Sequence, residues 1–177
     1  MAKKEQRKTY LVVVDMQNDF TTGALKNPDA VAIIPKIAKL ISEFRRKGAT
    51  IIFTRDTHKE DYLNTLEGKR LPVVHCLHNT TGWEIVKELT PLKSETIINK
   101  NHFGYDRWSA FIDQGSDVYM CGTCTDICVV SNALAIKSIE GVDVTVYEDA
   151  CAGVNKEKHE AALETMRSCQ CDVRTAT

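Results

Sequence analysis

The sequence predicts an α/β domain built around a mostly parallel sheet, and three observations point to it. Short apolar runs rich in β-branched residues read as strands buried on both faces. Stretches of helical spacing alternate with them, so successive strands need crossover connections, which are right-handed in such sheets. Polar residues capable of chemistry follow four of the strands, at the carboxyl ends where parallel sheets bind ligands. At 177 residues the chain is long enough for one domain, 1–177, with a sizeable core.

The elements follow in order. Residues 10–14 (YLVVV) form the first strand, which ends at Asp15. A loop over 16–27 leads to residues 31–48, where Ile33, Ile37, Ile41 and Phe44 keep helical spacing and Gly48 supplies the stop. Pro35 delays the regular part of this helix. Residues 50–54 (TIIFT) are the second strand. Residues 56–82 show no period and are long for a structureless connection, which marks a functional loop. A short helix is expected over 83–89, a third strand over 95–99 and a helix over 106–114. The fourth strand, 117–121, turns through Gly122 and Thr123 into a helix over 125–139. Residues 142–147 (VDVTVY) are the fifth strand, 155–168 a helix with Asn155 as N-cap, and 170–175 a last, weaker strand.

Composition narrows the function. A net charge of −1 with Lys and Arg spread along the chain gives no nucleic-acid stripe or polybasic membrane patch. The basic start lacks an apolar h-region and a cleavage site, and no apolar run reaches membrane-spanning length, so a cytoplasmic protein is expected. The basic cluster at positions 3–8 reads as a solvated, frayed terminus. Seven cysteines without a secretory signal argue for thiols, buried apolar groups or metal ligands rather than a disulfide framework. The sequence is compatible with a monomer or a homo-oligomer.

The segment DVYMCGTCTDICVVSNA, residues 117–133, holds three of those cysteines at a strand-turn-helix junction. Cys128 lies in the first turn of the expected helix, where the helix dipole favours thiolate, and is the candidate nucleophile. The backbone N–H groups of Cys124 and Cys128 are candidate oxyanion donors. Asp15 is the candidate base and Lys100 the group that stabilises the ion pair or developing charge. Each has a plain structural reading: Asp15 as a turn cap, Lys100 as a solvated lysine, Cys121 and Cys124 as small buried residues. Their joint position on one sheet edge favours a site. In the long loop, Asp56-x-His58, a further acidic residue and then His75 offer oxygen and imidazole donors suited to zinc, iron or manganese.

DMQNDF at residues 15–20, KNHFGYDRWSAF from Lys100 and CGTCTDICVVSNA from Cys121 resemble the three motifs of the isochorismatase-like cysteine hydrolases, and within them the nicotinamidases and related amidases. The resemblance covers nearly the whole chain. It implies a three-layer, Rossmann-like α/β/α fold with a six-stranded parallel sheet in the order 3-2-1-4-5-6. It implies a triad of Asp15, Lys100 and Cys128, a non-proline cis peptide at Thr123–Cys124, and a divalent metal, zinc first, on Asp56, His58 and His75. The fourth ligand varies in the family between His and Glu; Glu67 is the choice here, with Asp61 and Asn64 as alternatives. Phe20, Phe103 and Tyr105 are candidate pocket walls. The implied reaction is hydrolysis of a small amide to acid and ammonia through a thioester, with nicotinamide to nicotinate first and another small amide or a carbamoyl compound next. Vinyl-ether hydrolysis in the isochorismatase branch does not use this cysteine. The chain departs from the family at Asn79, at Val73 and Val74 where prolines are common, and in lacking an aromatic residue just before His75.

A reading of another class is a zinc-binding or redox thiol protein on Cys121-x-x-Cys124 and Cys169-x-Cys171. Against it, the strand order separates the two pairs. Cys169 and Cys171 then share one face of the last strand as small core residues, and Cys151 falls just after the fifth strand. Trp83 and Trp108 read as packing residues, and His78 and His159 as surface histidines.

Overall fold

The computed structural model of the chain describes residues 7–176. Six strands form one sheet in the order β3-β2-β1-β4-β5-β6: β1 Thr9–Val14, β2 Thr50–Asp56, β3 Thr96–Lys100, β4 Asp117–Thr123, β5 Asp143–Ala152 and β6 Asp172–Arg174. Every pairing is parallel. The order expected from the motifs is the order found, and β1 and β4 lie side by side at its centre.

The alternation of β1 explains why its sequence is apolar throughout. Tyr10, Val12 and Val14 enter one core with Val129, Ala133, Ile136, Leu163 and Met166. Leu11 and Val13 enter the other with Ile37, Leu40, Ile41 and Phe44. Each such side chain contributes about 1.5–3 kcal/mol by leaving water, which is why both helical layers stay on the sheet. The first core is covered by α5 Val130–Lys137 and α6 Lys156–Ser168, and the second by α3 Ile34–Arg46.

Several local expectations are corrected. The loop before α3 contains α1 Asn18–Thr21, and the helix expected over 31–48 is two helices. α2 Pro28–Ala32 is capped by the Asn27 side chain, and α3 restarts around Pro35, whose missing N–H is free of cost at a helix start. The long loop contains α4 Leu66–Arg70, capped by Thr65. No α-helix forms over 83–89. The buried residues there, Trp83, Val86 and Leu89, recur every three positions, the period of the 3-10 turns found at Thr81–Trp83 and Lys87–Leu89. Backbone groups between those turns are spent on the first loop, through Asn18 N to Glu84 O and Val86 N to Met16 O. The helix expected over 106–114 shrinks to a 3-10 turn, Trp108–Ala110, with Trp108 and Ile112 sunk into the core. So short a segment is held by those anchors rather than by helical cooperativity.

The last strand is confined to Asp172–Arg174. Cys169 is therefore the exposed C-cap residue of α6, and only Cys171 is buried. Cys151 lies inside β5 rather than after it. Residues 3–6 of the basic terminus lie outside the described residues. Arg7 pairs with Asp117 at 2.6 Å and Lys8 with Asp113 at 2.5 Å, so the end of that cluster is docked on the sheet. Among the described residues no helix is long and apolar enough to cross a membrane.

Candidate active site

The carboxyl ends of β1, β2, β3 and β4 bring together residues distant in sequence. β1 is followed directly by Asp15, whose φ of 49° lies in the left-handed region, uncommon for a residue with a side chain. Beside it, Gly122 of β4 has φ 125°, and a Cβ there would fall 2.2 Å from Val14 O. Only glycine lets the two central strands approach this closely at the site. Asp56 and Lys100 are the paired last residues of β2 and β3.

Asp15 and Lys100 are both closed to solvent, with Lys100 Nζ 2.6 Å from Asp15 Oδ2. Thr54 of β2 donates from Oγ1 to Asp15 Oδ1 at 2.6 Å, and the Asp15 N–H donates to the same hydroxyl oxygen at 3.1 Å. Lys100 Nζ also lies 3.6 Å from Cys128 Sγ, donates to His102 O at 3.2 Å, and stands 3.7 Å from Asp56 Oδ1. Burial alone would lower the Lys100 pKa; the negative groups around it outweigh that and hold the ammonium charged. Burial raises the Asp15 carboxyl against the pull of Lys100, making it a stronger base than a free carboxylate. Asp15 Oδ2 faces the Lys100 ammonium and no other partner among the described residues.

The environment of Cys128 differs from the sequence expectation. Residues Thr125–Val129 form a π turn, with Val129 N donating to Cys124 O at 3.0 Å, before α5 begins. Such turns widen the start of a helix and recur at functional sites. Cys128 is buried, and burial pushes its thiol well above the usual range while Lys100 pulls the other way. Burial thus opposes the thiolate that the helix end alone would favour. Cys124 is likewise pushed up to about 11 by burial, so its side chain is a neutral thiol at neutral pH. The Thr123–Cys124 peptide is cis, as the resemblance implied. Among the described residues no protein acceptor takes the Cys124 N–H.

In the long loop, Asp56, His58, Glu67 and His75 each offer a ligand atom, all within 4.8 Å of one another. His58 Nε2 lies 2.9 Å from Asp56 Oδ2 and 3.6 Å from Glu67 Oε1; His75 Nε2 lies 3.5 Å and 3.8 Å from the same two atoms. A tetrahedral zinc with ligand bonds of about 2.0–2.2 Å has edges of about 3.4 Å, so the spacing and the donor set fit such an ion. His75 Nδ1 faces Val73 O at 2.7 Å, which directs Nε2 into the cluster. Burial would raise the Asp56 pKa, but both imidazoles and Lys100 outweigh it and keep the carboxylate ionised. Glu67, rather than Asp61 or Asn64, completes the group, because α4 turns it inward.

A cavity of about 560 Å³ contains Asp56, Glu67, His75, Cys124 and Cys128, with Phe20, Leu71, Phe103, Ile127 and Val154 among its apolar walls. Two of the three expected walls are found there. Tyr105 is not: it packs on Trp108 and lines a separate cavity of about 420 Å³. Its backbone N–H donates to Asn132 Oδ1 at 2.9 Å.

Sequence reading missed four supporting residues. Gln17, fully buried, donates to Asp56 O and Trp83 O at 2.9 Å and accepts from Asp56 N at 2.7 Å, fixing the end of β2. Asp19 accepts from Cys76 N at 2.7 Å and so holds the chain next to His75. Tyr62 packs on both histidine rings, at 4.6 Å and 5.0 Å. Thr54 orients Asp15. Gln17 and Asp19 lie in the DMQNDF motif, which was the available signal; Tyr62 and Thr54 carried none.

The plain readings of other residues are settled by contacts. Trp83 and Trp108 are buried packing residues, and His78 stacks edge-on against Trp83. His159 is more than a surface residue, since its Nδ1 lies 2.8 Å from Thr125 Oγ1. The thiol-zinc alternative fails on topology. β5 separates Cys121 from β6 and the Cys169/Cys171 pair, and the metal-capable group among the described residues contains no cysteine. All seven cysteines are free.

A family model described as the isochorismatase domain matches residues 9–177. The chain is 34% identical over 154 residues to the uncharacterized isochorismatase family protein YddQ of Bacillus subtilis, covering 81% of this chain and 77% of that protein. It is 28% identical over 206 residues to the nicotinamidase of Schizosaccharomyces pombe, covering 92% and 91%. The pyrazinamidase of Pyrococcus horikoshii, solved in complex with zinc, superposes with a TM-score of 0.82 at 32% identity over 96% of this chain and 99% of that one. Sheet order, strand-end residues and family match agree, and the chain belongs to the isochorismatase family of hydrolases.

Proposed function

We propose that this chain is a cysteine-dependent amidohydrolase that converts a small amide to its acid and ammonia, with nicotinamide as first substrate. The observation that carries this reading is the solvent-closed cluster in which Lys100 Nζ stands 2.6 Å from Asp15 and 3.6 Å from Cys128 Sγ. Asp15 takes the thiol proton, and the thiolate forms beside the Lys100 ammonium, which compensates its charge. Sulfur attacks the amide carbonyl, and the Cys124 and Cys128 N–H groups receive the oxyanion. Asp15 returns the proton to the leaving nitrogen, ammonia departs, and a thioester to Cys128 remains. Water that gives its proton to Asp15 then attacks the thioester and releases the acid, returning the thiol.

Asp56, His58, Glu67 and His75 would hold a divalent metal at the other end of the same cavity. A metal there supplies a Lewis-acid point for a ring nitrogen of the substrate, and the zinc complex of the Pyrococcus pyrazinamidase supports zinc as the ion to try first. Phe20 and Phe103 offer apolar surface on which a substrate ring would pack. The similarity to nicotinamidases supports a pyridine carboxamide over an acyclic amide.

Ammonia release from a panel of small amides, nicotinamide included, tests the reading. Turnover of nicotinamide by the wild-type chain and its loss by a factor of about 10³ or more in Cys128→Ala is the expected result. Full activity in Cys128→Ala would overturn the mechanism.

A further inference from the structure

Asn132 lies one helical turn beyond Cys128 and is fully buried. Its side chain makes four hydrogen bonds, the full capacity of a primary amide. Nδ2 donates to Cys128 O at 2.7 Å and to Phe103 O at 3.0 Å. Oδ1 accepts from Tyr105 N at 2.9 Å and from Trp108 Nε1 at 3.0 Å. One bond therefore goes back to the nucleophile residue on its own helix, and three go across to residues 103–108. That segment follows directly from Lys100 and carries Phe103, which shares the cavity with Cys128 but is 45% exposed and has little packing of its own to hold it. At Gly104, between the anchored positions, an added Cβ would lie 3.5 Å from Ser131 Cβ, ordinary van der Waals contact, so the segment already lies against the helix.

We infer that Asn132 is a positioning residue that sets the width of the substrate pocket by locking the Phe103 wall to the Cys128 turn. The Phe103 carbonyl is tied to the same amide nitrogen as the Cys128 carbonyl, so the wall and the nucleophile share one reference point. Without the cross-links, the hydrogen bond that still holds residues 101–105 among the described residues is Lys100 Nζ to His102 O, with Tyr105 packed on Trp108 and Phe111. The substrates named in the test rest on the amidohydrolase reading; the inference about pocket width does not.

Asn132→Ser separates the two halves of this network. A serine hydroxyl in a helix bonds the carbonyl four residues back, as Ser131 Oγ does to Ile127 O at 2.6 Å. The variant thus keeps the link to Cys128 O and cuts those to residues 103–108. Labelling of Cys128 by iodoacetamide and by a bulkier N-aryl iodoacetamide reads pocket width without turnover. The expected result is a rise of about tenfold in the ratio of aryl to small-reagent rates, with the small-reagent rate changed less than about threefold. For nicotinamide, KM rises by a similar factor while kcat per titrated thiol stays within about threefold. A lowered melting temperature with the wild-type ratio of labelling rates would mean a merely structural asparagine and overturn the inference. Should Asn132→Ser fail to fold, Asn132→Asp, which keeps both acceptances and loses both donations, is read by the same ratio with the same criterion. If the wild-type chain releases no ammonia from nicotinamide, the substrate reading fails, and the labelling ratio still decides the role of Asn132.

Discussion

The ammonium of Lys100 reaches over the end of β2 to lie 2.6 Å from the Asp15 carboxylate, with neither side chain exposed to solvent. The two residues end β3 and follow β1, and Thr54 of the strand between them donates to the same carboxylate. A charge pair in such a place is costly to form and more costly to break, because removal of one partner leaves the other charged without compensation.

Lys100→Met should therefore lower unfolding stability by about 3–5 kcal/mol in denaturant melts and abolish amidase activity. Lys100→Arg should restore neither, since a planar guanidinium cannot occupy the site of a point charge that faces Asp15, Asp56 and Cys128 together. Activity near wild type in either variant would remove Lys100 from the mechanism.

Alkylation of Cys128 should be slow at neutral pH and accelerate as pH rises into the alkaline range. Burial favours the protonated thiol, so the thiolate fraction grows only toward high pH. Mass spectrometry of iodoacetamide adducts between pH 6 and 10 checks this. A labelling rate already at its plateau below pH 7 would show a resting thiolate instead. Lys100→Met should push the profile further toward high pH, because the ammonium opposes the effect of burial.

Bound metal should fall to a small fraction of the wild-type content in Asp56→Ala and in His75→Ala, and remain in Cys121→Ser. Each of the first two removes one of four converging donors, whereas Cys121 faces the core under α3. Metal analysis after dialysis reads the outcome. Retention in both ligand variants with loss in Cys121→Ser would refute the assignment of the four residues. Chelation should likewise depress turnover of ring amides, and added zinc should restore it.

Far from the site, Arg45 Nε and Nη2 hold both Glu95 oxygens at 2.7 Å. Burial alone would raise the Glu95 pKa, but the guanidinium and the Leu92 N–H outweigh it and lower it. Stability from this pair is then fully present above the unfolded carboxyl pKa of about 4.3 and is lost as pH falls through the lower folded value. Glu95→Gln should cost about 1 kcal/mol at pH 7, a drop in Tm of about 2–4 °C, with the difference from wild type vanishing in strong acid. A constant difference across that pH range would contradict the linkage.

What the sequence determined by itself was whatever depends on local pattern or on motif. The four central strands are legible because a strand buried on both faces must be apolar throughout, while the half-exposed edge strands β3 and β6 carry a weaker pattern; Asp15 and Asp56 stand at the ends of two such central runs and Lys100 at the end of β3. Glu67 was one of three acidic residues between His58 and His75, with Glu60 and Asp61, and the family resemblance, which allows His or Glu as fourth ligand, singled it out. The tertiary structure alone decided the rest. The expected helices over 83–89 and 106–114 gave way because their backbone groups and anchor side chains are claimed by distant segments, which a local period does not record. Burial under the sheet edge pushes the Cys128 thiol upward, against the helix end that the sequence announces. Tyr105 leaves the pocket, and Gln17, Thr54 and Asn132 enter the site, for one reason: a buried polar group must find its partners within the fold, and those partners lie far away in the chain.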